Sequence, residues 1–283
     1  MKTNFINCVI AGDSRLVLKT IAAESIDMVL TSPPYNFGMP YDSCDDNLSL
    51  DDYFHDLLEP VWIECGRVLK RGGRIAVVVQ PLYSQHVPTH HRIARQLEDA
   101  GFSWRTEIVW DKANVHGNVS LGSIDRPSSP YIRSTMEFIE VLDKIDRKKE
   151  PDPELEAQLG KDAMADIKHD EYTAWTDARW NIPAPAKDMK KYGHPAVFPE
   201  EIPARLMKLF TYVGDVILDP FGGVGSTAVA AWKCCRRFVA VDISENYSKI
   251  AFRRVKNAAS QRLLVPPPVA MPIPELVRWA RIA

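Results

Sequence analysis

Ser32-Pro33-Pro34-Tyr35 is the stretch of this 283-residue chain whose residue types most plainly suit chemistry. Two successive prolines fix φ and remove two N–H donors, so the segment is a stiff, extended loop with its carbonyls free of ladder partners. The Ser32 hydroxyl and the Ser32 and Pro33 carbonyls are then acceptors, with no positive charge among them. Tyr35 adds a flat face on which a planar ring can stack, as extruded bases do on aromatics. An exocyclic amino group held here has its N–H bonds accepted, which turns the nitrogen lone pair toward an electrophile. The same four residues also make a plain proline-rich strand exit with a surface tyrosine, so a second motif has to decide.

That motif is DPFGGVGST, Asp219 to Thr227. Gly222, Gly223 and Gly225 allow tight turns and close approach of a ligand to the backbone. RFVAVD follows and ends in Asp242, at the place where a carboxylate accepts hydrogen bonds from ribose hydroxyls. The plain alternative is a glycine turn between strand and helix with a capping aspartate.

Both motifs need strands that end on one sheet edge. The apolar run before Ser32 is short, unalternating and bounded by turn residues, as buried parallel strands are. Strands are predicted at 6–10, 28–31, 74–79, 107–110, 137–142, 216–219 and 238–242. A helix capped by Ser49 is expected to run to Lys70, with Leu57, Leu58, Val61, Cys65 and Val68 as its stripe and Gly72-Gly73 as its stop. Another spans His91–Ala100, stopped by Gly101. This alternation predicts an α/β fold, a doubly wound, seven-stranded, mainly parallel sheet whose ligands bind outside the carboxyl ends of the strands. Asp13, after the first strand, suits a helix N-cap. His86, His90 and His91 are read as no metal site, because Pro88 breaks their spacing and no cysteine or acid pair accompanies them.

Taken together, TSPPYN, DPFGGVGST and the later AVD resemble the amino-group DNA methyltransferases of bacteria and archaea. HPAVFPEEIPARLMKLFT, His194 to Thr211, is similar to that family's cofactor-side helix. The order, catalytic loop first and glycine loop last, resembles the beta subgroup, a circular permutation of the Rossmann-like class I arrangement. The likeness runs from about Phe5 to Arg254. It implies S-adenosylmethionine as cofactor, held by Asp13, Asn36, Asp219, Pro220, Phe221, Gly222, Gly223, Gly225, Ser226, Thr227 and Asp242. It implies Ser32, Pro33, Pro34 and Tyr35 as the catalytic loop, with a flipped base stacked on Tyr35 through its ring face. Ser at the first position is typical of members that methylate N4 of cytosine, against Asp or Asn for N6 of adenine. Double-stranded DNA is the implied partner, with a cognate restriction endonuclease in a restriction-modification system, and the implied state is monomer or homodimer.

Composition sets bounds. Net charge is −2, so any DNA surface must be a local basic face. Five cysteines without a C-x-x-C pair suit reduced thiols in a cytoplasmic protein, and no apolar run is long enough to span a bilayer. The chain divides into a catalytic half (1–142), a charged, proline-punctuated insertion (143–189), a cofactor half (190–260) and a proline-rich tail (261–283). The insertion stands where the resembling family reads DNA sequence, and Lys144, Arg147, Lys148, Lys149, Lys187, Lys190 and Lys191 are its candidates for phosphates. The polar loop with Arg126, Pro127 and Arg133 is long enough to be functional. The tail is expected to be an extended linker before a short amphipathic end.

Two other classes compete. G-x-G-x-x-A within GGVGSTA fits a nicotinamide oxidoreductase, but too little chain follows for a second nucleotide half, and TSPPYN is left without a role. A non-catalytic DNA-binding protein would keep the fold, yet neither motif lacks a residue. A carbon-5 methyltransferase needs a nucleophilic cysteine after a proline, and no Pro-Cys occurs.

Overall fold

The catalytic and glycine motifs are 187 residues apart from Ser32 to Asp219 in sequence, and the fold sets the strands that carry them side by side. In the computed structural model, which describes residues 5–112, 122–123, 125–130, 134–145, 148–262 and 277–282, nine strands form one sheet. They are β1 (Cys8–Ala11), β2 (Ile26–Thr31), β3 (Leu69–Val79), β4 (Phe102–Asp111), β5 (Met136–Lys144), β6 (Arg179–Asn181), β7 (Val216–Asp219), β8 (Arg237–Asp242) and β9 (Arg278–Arg281). Their order is β6-β4-β5-β3-β2-β7-β8-β1-β9. Every neighbouring pair is parallel except β3 with β5 and β4 with β5, so β5 alone runs backwards. The sheet is mainly parallel, as expected, and has two strands more than the seven predicted.

Strand residues alternate between two apolar layers, which is why the parallel strands read as unbroken hydrophobic runs. Val29, Ile75, Val77 and Leu218 face one layer with α1 (Ser14–Thr20), α2 (Glu59–Val68) and α3 (Thr89–Asp99). Met28, Leu30, Ala76 and Ile217 face the other, with α8 (Glu201–Phe210), α9 (Ser226–Lys233) and α10 (Glu245–Arg262). The sheet is thus covered on both faces, a doubly wound arrangement. No helix among the described residues is long and apolar enough to cross a membrane.

Several expectations shift. The helix after Ser49 begins as a π-helical segment, Asp52–Leu58, before α2. Pro60 has no N–H to give the Asp56 carbonyl and crowds it, so the ladder slips to i+5 there, and Arg15 Nη1 takes that carbonyl at 3.2 Å. Gly72-Gly73 does not stop the helix. It ends at Val68, and the glycines make an irregularity in β3, where Ile26 pairs with Leu69 but Met28 already pairs with Arg74. A β-carbon on Gly73 would lie 2.9 Å from the Lys70 carbonyl oxygen, which only glycine avoids.

The insertion is partly sheet and partly packing. Between β5 and β6 lie α4 (Pro153–Leu159), α5 (Lys161–Met164) and α6 (His169–Trp175), and α7 (Ala186–Tyr192) follows β6. Two of its candidate phosphate ligands are occupied at the end of the sheet away from Ser32. Lys149 is buried between Asp27 (2.7 Å) and Asp215 (3.3 Å), and Lys144 donates to the Leu69 carbonyl. Burial and the Asp27 charge push Asp215 up to about 6. The end of the tail is no free amphipathic segment but β9, added in parallel to the edge of β1. Arg133, Arg147 and the proline-rich stretch lie outside the described residues.

Candidate active site

β2 and β7 are the middle of the sheet, and each ends in one of the two motifs. Chain direction beyond them diverges, toward β3 on one side and β8 on the other, which leaves a crevice at their carboxyl ends. Their ends are tied together by the Thr31 hydroxyl, which donates to Asp219 at 2.7 Å. Asp219 also accepts from the Phe221 amide, so it shapes the turn it precedes. It is fully enclosed, and burial pushes its carboxyl up to about 6 against the donors around it.

Two clefts open here. The larger in total space, about 1020 Å³ with the part open to solvent included, is lined by Asp13, Ser32, Pro33, Pro34, Pro220, Phe221, Gly222, Gly223, Ser226 and Asp242 among others. Most of the residues expected around a nucleoside cofactor are therefore gathered in one place. Asp242 is half-buried and accepts from the Gly223 amide (2.7 Å) and the Ser244 amide (2.8 Å), yet partial burial still raises its carboxyl to about 6. Asp13 does cap α1, through the Arg15 amide, and its carboxylate is also paired with the Arg15 guanidinium at 2.6 Å. Gly223 must be glycine: a β-carbon would stand 2.9 Å from His194 Nε2.

Four expected residues support the cleft from behind. Asp219 and Thr227 are buried beneath the turn. Gly225, at φ +85°, caps α9 and packs on Ala251. Asn36 is outside the cleft's lining: both atoms of its amide are taken by the Leu48 backbone, at 2.7 and 2.9 Å, which closes the loop after Tyr35. Asp46 completes that closure by accepting the amides of Asn36, Phe37 and Met39.

Sequence reasoning missed an aromatic wall. Tyr41, His194 and Tyr247 meet in series, the first pair edge-on and the second tilted, with centroids 5.5 and 4.5 Å apart, and all three line the larger cleft. His194 Nδ1 accepts the Ala196 amide, which assigns the proton to Nε2, and burial lowers its pKa to about 4, so it stays neutral. The segment His194–Thr211 carried a family likeness, but nothing in its pattern singled out this ring.

The second cleft, about 730 Å³, shares Ser32, Tyr41, Ala196, Val197 and Phe198 with the first. Tyr35, Phe37, Trp110, Lys112, Glu137 and Met189 complete much of its lining. Tyr53 donates to the Pro34 carbonyl at 2.8 Å and holds the proline pair in place. The expected stacking of a base uses the Tyr35 ring face and gives its hydroxyl no part. That hydroxyl donates to Glu137 Oε2 at 2.6 Å and accepts from the Ser32 hydroxyl at 3.0 Å. Burial and the Glu137 charge raise the phenol well above its ordinary range, so it remains a neutral donor.

His90 and His91 do meet an acid: their donor atoms and one of Glu107 lie within 4.8 Å of one another. His90 is also stacked flat on Phe138 at 4.2 Å, and none of the three lines either of the two clefts at Ser32.

The geometry is that of two pockets meeting at an uncharged acceptor, and the chain that builds it is similar to known proteins. The chain is 28% identical over 260 residues to the DNA adenine methyltransferase YhdJ of Escherichia coli, covering 89% of this chain and 83% of that one. The structure of TTHA0409 from Thermus thermophilus, complexed with S-adenosyl-L-methionine, superposes with a TM-score of 0.68 at 26% identity, over 98% of this chain and 99% of that chain. PvuII DNA methyltransferase, described as cytosine-N4-specific, has the same fold, with a TM-score of 0.63 at 19% identity over 99% of this chain and 96% of that chain. Residues 26–253, which carry both motifs, match the DNA methylase family N6_N4_Mtase, and the chain belongs to that family.

Proposed function

We propose that the protein transfers a methyl group from S-adenosylmethionine to N4 of a cytosine flipped out of double-stranded DNA. The observation that carries this reading is that Ser32 belongs to the walls of both clefts. A group in one cleft and an amine in the other meet at that hydroxyl. The larger cleft fits the cofactor by chemistry: it has carboxylates at Asp13, Asp45 and Asp242 for a ligand bearing ammonium and sulfonium charges, and a glycine turn that admits it. When bound, the cofactor supplies an electrophilic methyl group. The chain's own residues hold the amine. Ser32 and the Pro33 carbonyl accept its N–H bonds, Tyr35 walls the ring, and the Phe37–Met39 loop fixed by Asp46 limits water.

Ser32 supports cytosine because a hydroxyl is a shorter acceptor than the Asp or Asn typical of adenine enzymes. The adenine reading has one observation in its favour, the likeness to an adenine methyltransferase. Mass spectrometry of nucleosides from DNA treated with the protein decides between them. N4-methylcytosine is the expected product, and N6-methyladenine alone would refute the cytosine assignment and leave the rest standing.

We assign DNA recognition to the 143–189 insertion, between the 1–142 and 190–260 halves. Helix α7, which crosses from the insertion into the 190–260 half, presents Lys187, Lys190 and Lys191 beside Met189 in the second cleft, where phosphates of a duplex with an extruded base would pass.

Cofactor binding should depend on pH. Asp242 and Asp219, both raised to about 6, are neutral in mild acid and charged above it. Their raised folded values add fold stability that is complete below the ordinary 3.8 and lost as pH rises through about 6. A cationic ligand prefers the charged forms, so the effect on binding has the opposite sign. Affinity should fall roughly tenfold through Asp242, which lines the cleft, between neutral pH and pH ~5, whereas Asp219 is enclosed beneath the turn. Calorimetric titration at the two pH values checks this, and equal affinities would remove Asp242 from the cationic ligand's surroundings.

A further inference from the structure

Beyond the two motifs, five polar groups form one directed chain at the floor of the second cleft. Gln80 Oε1 accepts from Lys112 Nζ at 3.4 Å, and Lys112 Nζ donates to Glu137 Oε1 at 2.8 Å. Glu137 Oε2 accepts from the Tyr35 hydroxyl at 2.6 Å, and Tyr35 accepts from the Ser32 hydroxyl at 3.0 Å. The Glu137 and Lys112 side chains are 8% and 13% exposed, so this ion pair is little screened by water.

We propose that Glu137 is a positioning residue for methyl transfer, which acts through Tyr35 to keep the Ser32 hydroxyl an acceptor toward the target amine. The inference rests on the proposed role of Ser32. An ionised carboxylate can only accept, so Tyr35 must point its one proton at Glu137. The phenol oxygen then offers only lone pairs to Ser32, and the serine proton turns toward Tyr35 and away from the pocket. Both remaining lone pairs of Ser32 are left for the N–H bonds of the amine. A bare serine hydroxyl rotates freely and can equally present its proton, which would repel those N–H bonds. Lys112 pairs with the carboxylate, and Gln80 accepts from the lysine.

An amide at position 137 breaks this direction, because its nitrogen can donate to Tyr35 and reverse the chain. Glu137→Gln should lower the single-turnover rate of methyl transfer roughly tenfold to a hundredfold, with KM for DNA and Kd for S-adenosylmethionine little changed. Tyr35→Phe should show the same pattern, since it removes the hydroxyl and keeps the ring. The double variant should be no slower than Tyr35→Phe, because both substitutions cut one chain. Glu137→Gln leaves Lys112 unpaired and threatens folding, so Glu137→Gln with Lys112→Met is measured beside it, and the same rate loss is expected from that neutral pair. Multiplicative losses in the double variant, or a wild-type rate in folded Glu137→Gln, would overturn the positioning role alone. Wild-type protein that binds cofactor but never methylates DNA would overturn the function and this inference together.

Discussion

Ser32→Ala should slow methyl transfer by roughly a hundredfold to a thousandfold while leaving cofactor affinity and folding near the wild-type values, the scale expected for removing one preorganised polar group at a reacting centre. Ser32 is only half-buried, and among the described residues its hydroxyl holds no structural partner except Tyr35, which keeps its stronger bond to Glu137. Deleting that oxygen therefore leaves the loop standing. It removes an acceptor at the junction of the two clefts, where positive charge develops on the amine nitrogen as the methyl group arrives. The Pro33 carbonyl survives the substitution and accounts for the residual rate. Single-turnover kinetics with saturating cofactor measure the effect. A rate within about twofold of wild type would place the reacting amine elsewhere.

Gly225→Ala should destabilise the protein by roughly 2–4 kcal/mol. Two effects add. The residue sits at φ +85°, which a side chain resists, and its new methyl would lie 2.7 Å from Ala251 Cβ and 3.0 Å from Ala251 Cα. The second contact is backbone of α10, so relief requires α9 and α10 to part, and the glycine turn under the larger cleft moves with them. Gly193→Ala separates the two effects, because Gly193 also has positive φ, at +62°, but nothing stands within 4 Å of the added carbon. Urea unfolding of both variants makes the comparison. Equal losses would show that the packing of Gly225 on Ala251 contributes nothing.

What was legible in the sequence follows from burial. RIAVVV, EFIEVL, VILD and RFVAVD read as strands because strands covered on both faces must be apolar throughout. β6 and β9 were not legible. RWN and RWAR are edge strands of three and four residues, mostly exposed, and their pairing is dictated by the free edges of β4 and β1 and not by their own pattern. The glycine pair at 72–73 gave a stop signal that belonged to a strand irregularity, because a turn and a bulge ask for the same residue.

The candidate site was legible where glycine and proline restrict the backbone, and illegible where tertiary direction decides. Glu137 is the clearest case. A glutamate at the start of EFIEVL carries no signal, since a forward strand would put its first residue at the end away from the site. β5 runs backwards, so its first residues reach the carboxyl edge and Glu137 meets Tyr35. Lys149 shows the reverse error. Its charge suggested phosphate, but the fold sets it between two buried aspartates at the opposite end of the sheet.

The central claim is that Ser32 is where a methyl group passes from a cofactor cleft to a DNA base. Incubating the protein with methyl-labelled S-adenosylmethionine and unmethylated DNA, beside Ser32→Ala as control, tests it most directly. The structure predicts label in the base fraction of DNA treated with wild-type protein and little in DNA treated with the variant. Unlabelled DNA from wild-type protein that is folded and binds the cofactor, or equal labelling by the variant, would contradict it.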